Sequence, residues 1–302
     1  MPVRPSLVSA VLVISVLGVS FSGPLVRLSS AHPIAIAIWR LSFALPILAI
    51  LLLARGSWRQ WRTLDACSYA IAIAGGVMLA LHFWAWNSSV ELTTIAASVV
   101  LVNVQPLIVA ALSVIWLREP PTRDQWTGIG IAMFGAIIVV LPDLIDSGGL
   151  SLQGRAVLGD ALALVGAVTA ACYYVIGRRL RAVLDLWSYA VLVYGACLVT
   201  LVMIAVAIDV PLGPYPRREY EIFALLALGP MLLGHTGLNW ALRYARAYQV
   251  NIVLLGEPIG ATLIATMLPG IRERPTGFTL LGGAFVLGGI LLAERKRNPG
   301  QR

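Results

Sequence analysis

Apolar stretches of about 20 residues recur along the chain, separated by short polar breaks. That is the length at which an α-helix crosses the hydrocarbon core of a bilayer. The stretches fall at roughly 7–28, 33–54, 67–88, 94–117, 123–141, 157–178, 186–208, 221–242, 247–268 and 277–294. They predict an all-α integral membrane protein with ten transmembrane helices. The first stretch is too long for the core of a cleaved signal peptide, and no small-x-small cleavage site follows it. Composition agrees: 59% of residues are hydrophobic and 12% are charged, with a mean hydropathy of +0.87. Soluble domains carry about 25% charged residues.

The polar positions inside the stretches repeat. Asn87 and Pro106 reappear as Asn239 and Pro258, both 152 residues later, and Thr127 and Gly130 reappear as Thr279 and Gly282 at the same offset. "EPPT" at 119–122 matches "ERPT" at 273–276. Two units are therefore expected, 1–150 and 151–302, with five helices each. An odd number of spans per unit inserts the second unit upside down, which is the inverted repeat of many secondary transporters.

The net charge of +8 invites a nucleic-acid reading, but its placement answers to the membrane. With the N-terminus inside, fifteen of the 22 Lys and Arg residues fall in the inner segments, six in the outer ones, and Arg40 within a span. Positive loops stay cytoplasmic, so both termini are expected in the cytoplasm of a cell (inner) membrane. Trp58, Trp61, Trp116, Trp126 and Trp187 fall at the same boundaries, where amphipathic rings anchor. The lone lysine, Lys296, lies in the tail without a glycine-rich turn before it. ATP-driven pumping by a phosphate loop is thereby not expected. Cys67, Cys172 and Cys197 lie in or at the start of apolar runs and read as free thiols. They and the three histidines lack ligand spacing, so no metal and no cofactor are expected.

"GDALALVGAVTAACYYVIGRRL" (159–180), "LREPPTRDQWTGIGIAMFGAIIVV" (117–140) and "RERPTGFTLLGGAFVLGGILLAER" (272–295) resemble the EamA family of the drug/metabolite transporter superfamily. The first is similar to the helix that opens the second EamA repeat, and the others to the segment that closes each repeat. The resemblance implies ten helices around a central cavity and export of small metabolites. Within the family, the length and the aromatic-rich third helix look most like the aromatic amino-acid exporters.

The residues that break the apolar pattern are the candidates for chemistry. Glu257 stands at the centre of the ninth span, where an acid costs about 2.5–3.5 kcal/mol on insertion scales. It reads as a proton site or a counter-charge for an ammonium group, against a structural acid that caps a backbone donor or pairs with Arg40. Its repeat equivalent is Gln105, also followed by proline. Pro106 and Pro258 each remove a backbone donor and free the carbonyl four residues back, at Val102 and Leu254. In lipid this is tolerated where the freed groups face protein or a wet cavity, so both prolines read as hinges or static kinks. His82 and Trp86 share a helix face, as do His235 and Asn239, and form a polar and aromatic wall or helix-to-helix bonds. Arg40, roughly 10 Å inside its span at 1.5 Å per residue, either snorkels outward or binds a carboxylate. Tyr173, Tyr174, Asn103 and Asn251 complete the expected cavity.

These positions suit a secondary transporter that exports small amphipathic metabolites, amino acids above all, by alternating access. Its partners would be the solute, the lipid bilayer and protons as candidate coupling ion, and it is expected as a monomer. A drug or toxic-cation exporter is an alternative within the superfamily. A nucleotide-sugar or phosphorylated-metabolite carrier is another, although such carriers favour several cations in the cavity and Arg40 stands alone. An enzyme built on Ser20 and His82 is not expected, because the sequence displays no oxyanion donors.

Overall fold

The computed structural model describes residues 4–93, 98, 101–146, 154–267 and 277–294, and among these every regular element is helical. In chain order they are α1 (Pro5–Ser20), α2 (Ser22–Leu28), α3 (Pro33–Ala54), α4 (Ala66–Leu92), α5 (Gln105–Leu112), α6 (Arg123–Asp146), α7 (Gly154–Arg181), α8 (Leu186–Ala207), α9 (Arg217–Leu226), α10 (Thr236–Ala241), α11 (Ala247–Leu254), α12 (Glu257–Met267) and α13 (Gly277–Glu294). A π-helical turn, Ser113–Leu117, extends α5, and a π-helical run, Ala227–His235, joins α9 to α10.

Among the described residues, six helical stretches are long and apolar enough to cross a membrane: Pro5–Leu28, Pro33–Ala54, Ala66–Leu92, Val157–Arg181, Leu186–Ala207 and Arg217–Ala241. Gln105–Leu117 and Leu280–Ala293 are apolar but shorter. Local chemistry sets several ends. Pro5 and Pro33 occupy first-turn positions, where a missing N–H costs nothing. The carboxylate of Asp65 accepts from Ser68 N at 3.1 Å and that of Asp185 from Ser188 N at 2.8 Å, each capping the helix that follows. Arg178, Arg179 and Arg181 close α7, where cations meet the negative end of the helix dipole.

The helices pair in a pattern that survives exchange of the two halves of the chain. α6 packs on α13, α5 on α11, and α3 on α8; α1 packs on the π run and α10 as α4 packs on α7. Small residues permit the closest of these contacts. A Cβ at Gly128 would stand 2.6 Å from Gly289 O, and one at Gly18 would stand 2.9 Å from Gly234 N, so neither position accepts a larger residue without movement. The outer surface is apolar: Val206 is 75% exposed, Leu280 and Leu291 71%, and Ile50 and Met203 67%. A surface of that kind is solvated by lipid rather than water. The interior holds the polar groups, with Arg40, Arg181, Asn87, Asn239 and Asn251 all buried.

The two expected hinges take a specific form. The ninth expected span is split: Leu255 N and Gly256 N donate to Ile252 O and Val253 O, three residues back, at 3.1 and 3.0 Å. The helix then restarts at Glu257. α5 likewise begins at Gln105, and Leu107 N reaches back three residues to Val104 O at 3.1 Å. In both halves the proline is the second residue of a new helix, a position that its fixed φ favours. The proline thus opens a helix after the chain has already tightened.

Candidate functional site

The broken segments face one buried cavity of about 60 Å³, lined from both halves of the chain. That is room for a few waters. α1 and α2 contribute Val19 and Ser22; α3 contributes Arg40; α4 contributes His82, Phe83 and Trp86. The chain through the start of α5 adds Val102, Asn103, Gln105 and Pro106. Ala170, Tyr173 and Tyr174 come from α7, His235 from the end of the π run, and Leu254 and Glu257 from the α11–α12 break.

Four pairs in this wall are related by the 152-residue repeat: Gln105 and Glu257, Val102 and Leu254, Phe83 and His235, Ser22 and Tyr174. The cavity is therefore lined by equivalent positions of the two halves. A site at a repeat interface is where a duplicated transporter fold puts its solute.

Among the described residues, the charged groups here have no ion-pair partner. Arg40 is 1% exposed and does not snorkel. Its guanidinium lies over the Phe83 ring, 3.9 Å from the centroid, and one terminal nitrogen reaches Met231 Sδ at 3.6 Å. Its Nε has no partner among the described residues. Glu257 sits in the first turn of α12, where the positive end of the helix dipole suits a carboxylate. Ser20 Oγ lies 3.3 Å from its backbone oxygen, but no described residue forms an ion pair with its side chain. Arg40 and Glu257 therefore share a cavity without pairing.

The histidines differ. His82 Nδ1 lies 2.9 Å from Gly166 O. A carbonyl accepts, so Nδ1 carries the proton and the neutral ring offers Nε2 as an acceptor. His235 Nδ1 and Trp86 Nε1 are buried without a partner among the described residues. Buried polar atoms are seldom left so, and here they belong to cavity-lining side chains.

Of the residues the sequence singles out, His82, Trp86, Glu257, His235, Arg40, Tyr173, Tyr174, Asn103, Gln105 and Pro106 line the cavity. Asn239 stands one layer behind, its Nδ2 donating to Tyr173 OH at 2.5 Å and Tyr194 OH at 3.0 Å. Asn251 accepts from Gln105 Nε2 and donates to Ala247 O at 2.9 Å. Pro258 is buried beside Glu257 without lining the space. Trp39 turns away from Arg40 and donates to Leu212 O at 3.0 Å. Sequence reasoning passes over Ser22 and Phe83. Both fall 152 residues before a named position, Tyr174 and His235, so the repeat itself holds the signal for them. Ser20 and His82 do not bond one another: Ser20 Oγ donates to Val16 O at 2.7 Å while His82 holds Gly166.

The profile of the EamA-like transporter family matches residues 7–141 and again residues 157–294. An uncharacterized transporter of Archaeoglobus fulgidus is 26% identical over 290 residues, 93% of this chain and 95% of the relative. The uncharacterized transporter YyaM of Bacillus subtilis is 25% identical over 269 residues, 87% of this chain and 84% of the relative. One crystal structure, described simply as that of a protein, shares the fold at a TM-score of 0.77. It covers 96% of this chain and 97% of its own, at 18% identity. Two family matches in one chain agree with the paired helices and the cavity between them, and the chain belongs to the EamA-like transporter family of multi-pass membrane proteins.

Proposed function

We propose that the protein exports small amphipathic metabolites, amino acids foremost, by alternating access around this cavity. One observation carries the reading: Arg40 and Glu257, opposite in charge and unpaired with each other, line one buried space with Phe83, Trp86, Tyr173 and Tyr174. A zwitterion supplies a carboxylate for the first and an ammonium for the second, and its side chain meets the rings. Burial of a charge is costly until it is paired, so such a solute would satisfy groups that the protein leaves open. His82 and His235, both lining, add a polar edge.

Glu257 is also the group best placed to carry a proton. Facing the same space are Arg40 from α3, His82 from α4, Tyr173 and Tyr174 from α7, and His235 from the π run. Coupling to a proton gradient, with an inner-membrane location and both termini cytoplasmic, completes the proposal.

Flux into and out of proteoliposomes, screened across the amino acids with and without a pH gradient, tests it. Arg40→Gln should lower flux of solutes with a carboxylate more than that of their decarboxylated amines. Equal loss for both, or no amino acid moved by the wild type, would sink the reading. The toxic-cation alternative predicts the reverse: amines move, and Arg40→Gln leaves them unharmed.

A further inference from the structure

Two carboxylates join the halves of the chain, one at each end of the cavity. Glu119 follows the π turn after α5, in the first half, and Arg178 lies on α7 in the second. Arg178 Nη2 donates to Glu119 Oε1 at 2.8 Å, and its Nε lies 3.2 Å from Oε1 and 3.4 Å from Oε2. The same guanidinium donates through Nη1 to Leu242 O, just past α10, at 2.7 Å. One side chain thus ties three rods together. The pair is partly sheltered, at 22% and 23% exposure. Behind it Arg181 donates to Asn239 O at 3.0 Å, and Asn239 holds Tyr173 at the cavity wall.

Glu219, in the first turn of α9, lies at the opposite end. It is 3% exposed and accepts from Ser29 Oγ at 2.5 Å, Ser30 N at 3.1 Å and Ser30 Oγ at 3.0 Å. Those serines form the turn between α2 and α3, in the other half. Between Glu219 and the cavity lies an apolar layer in which Phe223, Leu226 and Ile36 pack with the lining residue Trp86.

With both fastenings made, the described lining leaves a space of about 60 Å³. Transport needs each end to part in turn, and each end is held by a charged acceptor whose bonds cross between the halves. Charge-assisted bonds of this kind are roughly twice as strong as neutral ones. We propose that Glu119 and Glu219 are the two gating carboxylates. Release of Glu119 from Arg178 opens the cavity toward the face that holds the 57–63 turn. Release of Glu219 from Ser29 and Ser30 opens it toward the face that holds the 29–32 turn. The inference rests on the proposal that this cavity is the solute path.

The test needs no knowledge of the solute. Cys67, Cys172 and Cys197 are replaced, and Ser22→Cys places a reporter thiol on the cavity wall. A membrane-impermeant thiosulfonate is then applied to one face at a time in oriented vesicles. Glu119→Gln should raise the labelling rate from the 57–63 face about tenfold or more, and Glu219→Gln from the 29–32 face by a similar factor. Arg178→Gln should copy the first, and Ser29→Ala with Ser30→Ala the second, which keeps the test alive where one variant misfolds. The exchanged pair Glu119→Arg with Arg178→Glu should label more slowly than either single change. Equal gains from both faces in both carboxylate variants would overturn the gates alone. A reporter labelled from neither face in any variant, with flux intact, would overturn the path and the gates with it.

Discussion

His235 stands edge-on to Phe83, with 5.4 Å between ring centroids and planes 84° apart, and the two residues occupy the same position of the two repeats. Each wall of the cavity therefore meets its own counterpart there, with one ring changed from a hydrocarbon to an imidazole.

Phe83 supports both Arg40 and His235, so it is the wall residue whose loss should be felt most. A cation over a desolvated ring is worth about 2 kcal/mol, and truncating a buried Phe to Ala costs about 3–5 kcal/mol in total. Phe83→Ala should lower the thermal unfolding temperature and the flux together. Phe83→Leu should retain most of the stability yet bind solute more weakly. Thermal unfolding in detergent beside proteoliposome flux separates the two.

Gln105 and Glu257 line the cavity at equivalent positions. Glu257→Gln should abolish the response of flux to a pH gradient and also weaken exchange of labelled for unlabelled solute, because the ammonium loses its counter-charge. Moving the charge, Gln105→Glu together with Glu257→Gln, should restore part of that response. Flux at matched and unmatched pH is the measurement, and a single variant that still follows the gradient would remove Glu257 from the coupling.

Asn239 holds two phenols with one amide: Tyr173, which lines the cavity, and Tyr194, which in turn lies 3.2 Å from Thr236 Oγ1. Asn239→Leu would leave those hydroxyls short of a donor at a cost of about 1–3 kcal/mol. Tyr194→Phe removes one end of the chain and should cost less. A drop in unfolding temperature ordered in that way supports a positioning role for Asn239, and no difference between the two would count against it.

Gly128 and Gly289 let α6 and α13 touch backbone to backbone, with each Cβ site 2.6 Å from the other glycine's carbonyl oxygen. Gly128→Val should lower stability by about 1–3 kcal/mol through overpacking. None of the described side chains of these helices lines the cavity. The folded fraction should therefore transport with an unchanged apparent affinity, measured as the half-saturating solute concentration.

The long apolar runs made the helical class legible, and the 152-residue offset made the repeat so, because both are patterns of residue type that survive without coordinates. Glu257, Arg40 and His82 stood out because a polar group in hydrocarbon needs a reason. Ser22 and Phe83 did not, since a small or aromatic residue in an apolar span is unremarkable by itself. Asn239 and Asn251 carry the same polar signal as the lining residues. Whether an amide faces a cavity or a neighbouring helix depends on rotation about the helix axis, and the π run shifts that rotation between Ala227 and His235. The breaks before Glu257 and Gln105 were readable as proline effects, though not as two helices that restart.

The pairing that survives exchange of halves has a consequence for direction. If the halves insert in opposite senses, exchanging them turns one side of the membrane into the other. A frame that looks the same after that operation has no forward and no reverse. Any difference in how the two sides meet the solute must then come from positions where the two copies have drifted apart, such as Gln105 against Glu257, Phe83 against His235, and Ser22 against Tyr174. An ancestor with identical halves would present the same site to both sides, and a few substitutions in one copy would be enough to make the two approaches differ, while the gradients set the net direction.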